Sequence, residues 1–507
     1  MNNTYSQSIK NGARHLMLQH AVKTLTVDRN SSSCVDAYYV RNIYDYFISQ
    51  EEGRIYDEAR KIDLNYIVEW ERQRITCIGN KKPEDLSVCY LSGPEPQNDF
   101  NELISLGILP QNIWAFEIDK KTYIKALNSY DTTNFRQPKI IKMSIEKFFE
   151  FTPKKFDIVY IDACGALISD KHVLRCIATL FRHHRLSSPG ILITNFAEIE
   201  TSNKLDRSVY VDLMSKYFLL KQNPNVNLLK DKEKNYFFKE IDEHYVNNIM
   251  DNFDNFYGEF ITSLICDIAS VTVPNLRFAN SQYWKDFIDV FIQNKDKLCL
   301  NDINSIKYNS LYKFFLHNKF LSENCASNIS TAKINKLSAE MTGNNAPSID
   351  LIKSMEIIHY IKNCNNIGKN IKEVLNYFNS ENVYQFLDKP TKNLLLDLSF
   401  NQLSYPMHYV SNKVKRISYK AKETKMYMDS IVFDECRYIY EWLTAIDQIK
   451  NSFQNVSWQY VFRFAVDGLV KQRFNYNNEF FFQGSVISKE IEGFKEQLIK
   501  HREHIGG

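Results

Sequence analysis

At 507 residues the chain has room for roughly three folding units of about 150 residues, enough to bury cores without disulfide or metal staples. Its 44% hydrophobic, 14% aromatic and 24% charged residues are globular proportions, which excludes a disordered polyelectrolyte. Sixty-three Lys and Arg against sixty Asp and Glu leave +3, so total charge gives no reason to expect DNA or a membrane as partner, and any basic site must be local.

Residues 1–80 read as a helical N-terminal region, with Ile43, Phe47 and Ile48 at helical spacing and the polar stretch 28–33 as a loop. The start carries Lys10 and Arg14 but no apolar run with a small-residue cleavage site, so it does not read as a secretory signal. The segment GNKKPED at 79–85 holds Gly and Pro and precedes an abrupt change of pattern, which predicts a domain boundary. From 86 to about 200, short apolar runs alternate with amphipathic segments, the pattern of a mostly parallel sheet wrapped by helices.

Strands are expected at 87–91, 112–118, 139–142, 156–161 and 191–194. The first helix between them would be capped by Asn98 or Asp99, the second would turn Tyr123, Ala126 and Leu127 inward, and the third Ile145, Phe148 and Phe149. Asp170 is the expected cap of a fourth, buried through Leu174, Ile177 and Phe181 and ending in Arg182-His183-His184-Arg185, where cations suit the negative end of the helix dipole. Ligands of such sheets sit beyond the carboxyl ends of the strands, which gathers Ser92, Gly93, Glu95, Glu117, Ser144 and Asp162 around one crevice. A carboxylate ending the second strand about 20 residues after a glycine turn is a means of gripping both hydroxyls of a ribose, and Glu117 holds that position.

Further along, the chain reads as helical again, and its most apolar window, 260–273, is interrupted by Asp267 and too short to span a bilayer. The ten cysteines are scattered, with no CxxC pair and no histidine at zinc-finger spacing, so no metal site or disulfide framework is expected and a reducing, cytoplasmic setting fits. The net positive charge arises entirely after residue 400, where Lys413, Lys415, Arg416, Lys420, Lys422 and Lys425 fall within thirteen positions. Tyr405, Tyr409, Tyr419 and Tyr427 flank them. That combination of cations and rings suits single-stranded nucleic acid, and its alternative is a solvated face whose tyrosines pack inward.

The order of these features resembles the class I S-adenosylmethionine-dependent methyltransferase superfamily over about 115 residues. CYLSGPEP stands at the first loop, FEID at the ribose-binding strand end, KMSIEKF at the adenine-side turn, FDIVYIDACGAL at the fourth strand and its loop, and SPGILIT at the strand after it. The resemblance implies S-adenosylmethionine as cofactor, with Ser92, Gly93 and Glu95 near its amino-acid end, Glu117 on ribose, Ser144 near adenine and Asp162 as the catalytic residue facing substrate. The fourth-strand loop lacks the Asn/Asp-Pro-Pro-aromatic sequence of amino-directed DNA methyltransferases. Its Asp162-Ala163-Cys164-Gly165 shares two of four positions with the loop of tRNA guanine dimethyltransferases.

The expected architecture is therefore an α/β, Rossmann-like, class I methyltransferase-type domain over 81–240, flanked by helical regions at 1–80 and 241–400 and a basic, aromatic-rich region at 401–507. The expected activity is methyl transfer to a macromolecule, RNA before DNA. The single glycine between Ser92 and Pro94 supports the alternative, an inactive methyltransferase-like scaffold or nucleotide-ligand sensor in a multiprotein assembly.

Overall fold

A computed structural model describes residues 8–130, 139–169, 172–200, 204–220, 243–294, 328–343, 357, 360–361, 364–379, 392–443, 455–472 and 498–506. The expected cap Asp170 lies outside these residues. In chain order the helices of the first half are α1 (Ser8–Leu25), α2 (Tyr39–Ile48), α3 (Arg54–Ala59), α4 (Leu64–Ile78), α5 (Gln97–Ser105), α6 (Lys120–Tyr130), α7 (Ile145–Phe151), α8 (Val173–Arg182) and α9 (Lys204–Leu220). The strands are β1 (Val88–Leu91), β2 (Ile113–Phe116), β3 (Lys139–Ile141), β4 (Phe156–Gly165), β5 (Leu186–Ala197), β6 (His408–Tyr409), β7 (Lys415–Ala421), β8 (Thr424–Asp434) and β9 (Glu503–Ile505).

The nine strands among the described residues belong to one sheet, in the order β3-β2-β1-β4-β5-β8-β7-β9, with β6 paired to β8 off this path. The first five run parallel. β8 then enters antiparallel between β5 and β7, with Gly190 opposite Phe433 and Ala197 opposite Met426.

Alternation along these strands divides the core between the two faces of the sheet. Val88, Tyr90, Ile158, Tyr160, Ile191 and Ile193 meet α1, α5 and α6 on one side, while Cys89, Val159, Ile161, Leu192 and Phe196 meet α7, α8 and α9 on the other. Strands buried on both faces have to be apolar throughout, which is why they read as short continuous apolar runs in the sequence.

Two expectations about local structure are corrected. Asn98 and Asp99 both lie inside α5, whose N-cap position is Pro96, and the Asp99 carboxylate pairs with Arg14. Leu127 is exposed, and Ala126 and Tyr130 are the buried residues of α6. The stretch 28–33 lies, as expected, in the loop between α1 and α2; it contains a 3-10 turn, and its Arg29, Ser32 and Ser33 are buried and hydrogen-bond backbone carbonyls.

The domain boundaries are corrected as well. The last hundred residues do not form a separate region, since β6, β7, β8 and β9 all come from them, and α1 from the N-terminal segment packs on β5, β7 and β8. The apolar window is also longer than expected: Phe253–Ala279 is 27 residues of continuous helix, with a π turn at Ile268–Thr272, long and apolar enough to cross a membrane by length and composition. In its most apolar 18-residue window 89% is buried within the fold, which accounts for its hydrophobicity.

Candidate functional site

The carboxyl ends of β1, β2 and β3 stand side by side. Ser92 N–H donates to the Phe116 carbonyl at 3.0 Å, and Glu117 N–H to the Ile141 carbonyl at 3.1 Å, so the loop after each strand is tied to the strand beside it. Gly93 sits in this first loop at φ +58, a left-handed conformation that disfavours any other residue, and a Cβ there would meet nothing within 4 Å. The turn is therefore open above the glycine. At the end of this loop Tyr90 OH donates to the Pro96 carbonyl at 2.9 Å.

Glu117 is half-buried just past β2. Its Oε1 accepts the Asp119 N–H at 2.8 Å, and Asp119 in turn caps α6 by accepting both the N–H and the hydroxyl of Thr122, each at 2.8 Å. The second carboxylate oxygen of Glu117 accepts no hydrogen bond among the described residues. Ser144 is the N-cap residue of α7, and its side chain makes no cap bond. Glu95 differs, because its carboxylate accepts Asn98 Nδ2 at 3.1 Å in the first turn of α5. Gly93, Glu117 and Ser144 thus follow one another along the strand ends, while Glu95 faces the helix.

Asp162 closes the row on β4. Its Oδ2 lies 3.0 Å from Lys10 Nζ of α1, and its Oδ1 accepts Asn195 Nδ2 at 3.0 Å from the paired position on β5. The same amide donates to Tyr419 OH on β7 at 2.9 Å, and its buried Oδ1 has no partner among the described residues. One helical turn after Lys10, Arg14 reaches the buried Asp99 at 2.6 Å. Burial pushes the Asp99 carboxyl up to about 6 against the pull of Arg14.

Sequence reasoning missed Lys10, Arg14, Asp99, Asn195 and Tyr419 as neighbours of Asp162. The Lys10–Arg14 spacing marks one helix face, and Asn195 ends an apolar run, but neither pattern names its partner. The side chain of Cys164 lies outside the described residues.

The basic cluster lies on the β7–β8 hairpin and the turn that precedes it. Arg416 is corrected: it is buried, 2.7 Å from Glu259, and donates to the Lys500 carbonyl, so it serves packing. Tyr409, Tyr419 and Tyr427 are buried too, which removes them as stacking platforms; only Tyr405 is exposed. Lys425 pairs with Asp254 at 2.8 Å and Lys413 stands 4.0 Å from Asp28, whereas Lys420 and Lys422 project from the hairpin tip.

Among the described residues, one buried group has the donor types of a metal centre: Cys34, Asp434 and Cys436, with ligand atoms within 4.8 Å of one another. Its carboxylate already accepts the N–H groups of Cys34 and Cys436 and the hydroxyls of Tyr438 and Ser188. Four donors fill its lone-pair positions, and burial raises the Cys436 pKa, which keeps that thiol protonated. The group therefore fits a structural hub joining the N-terminal loop to the end of β8.

No protein-family model and no curated protein matches the chain. Among solved structures, it overlaps a candidate methylase from Haemophilus influenzae at 16% identity, TM-score 0.20, over 23% of this chain and 66% of that one. An S-adenosylmethionine-dependent methyltransferase from Clostridium acetobutylicum overlaps at 14% identity and TM-score 0.19, over 32% of this chain and 59% of that one. Magnesium protoporphyrin IX methyltransferase from Synechocystis, solved with bound S-adenosylmethionine, overlaps at 17% identity and TM-score 0.18, over 32% and 76%. The matched part thus spans less than two thirds of the first two structures. The order β3-β2-β1-β4-β5 in parallel, with its row of polar side chains at the carboxyl edge, gives the sheet of this chain a Rossmann-like α/β fold.

Proposed function

We propose that the chain is an S-adenosylmethionine-dependent methyltransferase acting on a macromolecule, with nucleic acid, and RNA before DNA, as acceptor. The observation that carries this reading is the Glu117 carboxylate, fixed at one oxygen by the Asp119 N–H and uncommitted at the other, beside the open left-handed turn at Gly93. A ribose needs such an acceptor, and a cofactor needs such an opening for its close approach to the backbone. Ser92 and Gly93 would hold the amino-acid end, Glu117 the ribose and Ser144 the adenine side, with Glu95 acting through the start of α5.

When bound, the cofactor supplies an electrophilic methyl group. Asp162 then orients the acceptor and takes its proton, with Asn195 fixing one oxygen and Lys10 balancing the charge at the other. Lys413, Lys415, Lys420, Lys422 and Lys425 would steer a polyanion toward the hairpin.

A second reading is favoured by one contact. Lys10 already pairs with Asp162, which suits a scaffold or ligand sensor that binds the cofactor without turning it over. Calorimetric titration with S-adenosylmethionine tests the shared premise: the intact chain binds, and Glu117→Ala weakens binding at least about tenfold, since a charge-assisted hydrogen bond is lost. Absence of binding by the intact chain sinks both readings. Transfer of labelled methyl to RNA that is lost in Asp162→Asn selects the enzyme, and binding without transfer to RNA, DNA or protein selects the sensor.

A further inference from the structure

At the opposite edge of the sheet, where β4 and β5 begin and β8 ends, lies a cavity of about 230 Å³. Arg29, Lys81, Lys155 and Arg437 line it together with Ser187 and Ser188. The cations arrive from four separate segments: the turn after α1, the loop after α4, the residue before β4, and the short helix after β8.

Arg29 is the unusual member. Only 4% exposed, it donates Nε to the Ile78 carbonyl at 2.9 Å and Nη1 to the Leu25 carbonyl at 3.4 Å, while Nη2 makes no hydrogen bond among the described residues. A guanidinium anchored by two backbone carbonyls, with donor capacity left over where it lines a polar cavity, is placed to give a hydrogen bond to an acceptor there. Burial lowers its proton affinity, a cost that a bound anion relieves.

The two acidic residues of the cavity do not meet that need. Asp434 accepts from Cys34, Cys436, Tyr438 and Ser188, and Glu435 takes Lys155 at 3.4 Å and His184 at 3.7 Å. Lys81 and Arg437 hold Asp157 and Glu441 outside the cavity lining.

We propose that this cavity binds a phosphate group, free or as a small phosphomonoester, with Arg29 as its buried anchor and Lys155 and Arg437 as the rim. A tetrahedral oxyanion offers acceptors in several directions at once, which suits donors converging from four segments better than a planar carboxylate does. The volume leaves space for a small carrier group. The site shares no residue with the Glu117–Asp162 edge, so its test does not depend on methyl transfer.

The test uses phosphorus NMR on the whole chain with inorganic phosphate or glycerol 3-phosphate, beside thermal unfolding in phosphate or chloride of equal ionic strength. Saturable line broadening and a rise in Tm beyond that in chloride are expected, and both fall in Lys155→Ala with Arg437→Ala, whose Kd rises at least about tenfold. These side chains are largely exposed, so the variant keeps its fold; Arg437→Ala alone provides a milder check. Tighter binding of the ester identifies a phosphorylated metabolite, and equal binding identifies free phosphate. No saturable broadening, or the same Tm rise in the variant as in the parent chain, overturns the proposal, because a general salt effect needs no rim.

Discussion

His20 on α1 shows how a single half-buried ring ties the N-terminal helix to the sheet. Its Nδ1 stands 3.0 Å from Ser430 Oγ on β8, and burial, aided by the nearby Lys415 and Lys413 charges, pulls its pKa from 6.5 to about 4. Between these values the unfolded chain binds a proton that the folded chain refuses. The His20 contribution is therefore full above pH 6.5 and fades as pH falls through about 4, by up to about 3 kcal/mol. Asp99 has the opposite sign, because its carboxyl, raised to about 6, holds a proton in the folded state that the unfolded state has released, so its ionisation costs stability as pH rises from about 4 to 6. The two slopes offset each other in the parent chain. Urea unfolding of the parent and His20→Gln at pH 7 and pH 4.5 isolates the first: the stability difference between them should shift by about 2 to 3 kcal/mol in favour of the variant on acidification. An unchanged difference would place the ring in solvent.

β5 has to exchange a parallel neighbour for an antiparallel one, and its entry is tight. A Cβ at Gly190 would stand 2.2 Å from the Ser187 carbonyl oxygen, a backbone atom that cannot turn away. Gly190→Ala should cost about 2 to 3 kcal/mol in urea unfolding. Gly12 in the exposed face of α1 is the contrast, with nothing within 4 Å of an added Cβ, and Gly12→Ala should stabilise by about 0.5 to 1 kcal/mol through helix propensity. Elements of this kind were legible in the sequence to different degrees. The five parallel strands announced themselves as apolar runs with turn residues between them. The β7–β8 hairpin did not, because its lysines and tyrosines obscured the alternation, and the same residues were read as a nucleic-acid cluster. A charged side chain such as Arg416 carries no mark of burial in the sequence when its partner, Glu259, is 157 residues away.

At the scale of the whole molecule, the sheet is closed by segments more than two hundred residues apart in the chain. β5 is buried along almost its whole length because β8 covers its free edge, and α1 lies across both. A fragment of residues 81–240 would leave that edge unpaired with apolar residues on both faces. Such a fragment should aggregate or show no fixed tertiary packing by near-ultraviolet circular dichroism, whereas the full chain gives a cooperative transition. A folded, monomeric fragment would restore the narrower domain boundaries.

The sequence by itself determined the parallel strands, their α/β class and the carboxylates Glu117 and Asp162 at strand ends, because burial on both faces and the need for polar side chains at a sheet edge leave local, periodic traces. Only the tertiary structure decided which distant segments meet those ends. Lys10 on Asp162, Arg14 on Asp99, Asn195 on Tyr419 and β8 beside β5 are pairings across long stretches of chain. Hydrogen bonding and charge pairing select a partner by position in space, and a residue's own neighbours in the chain record nothing of that position.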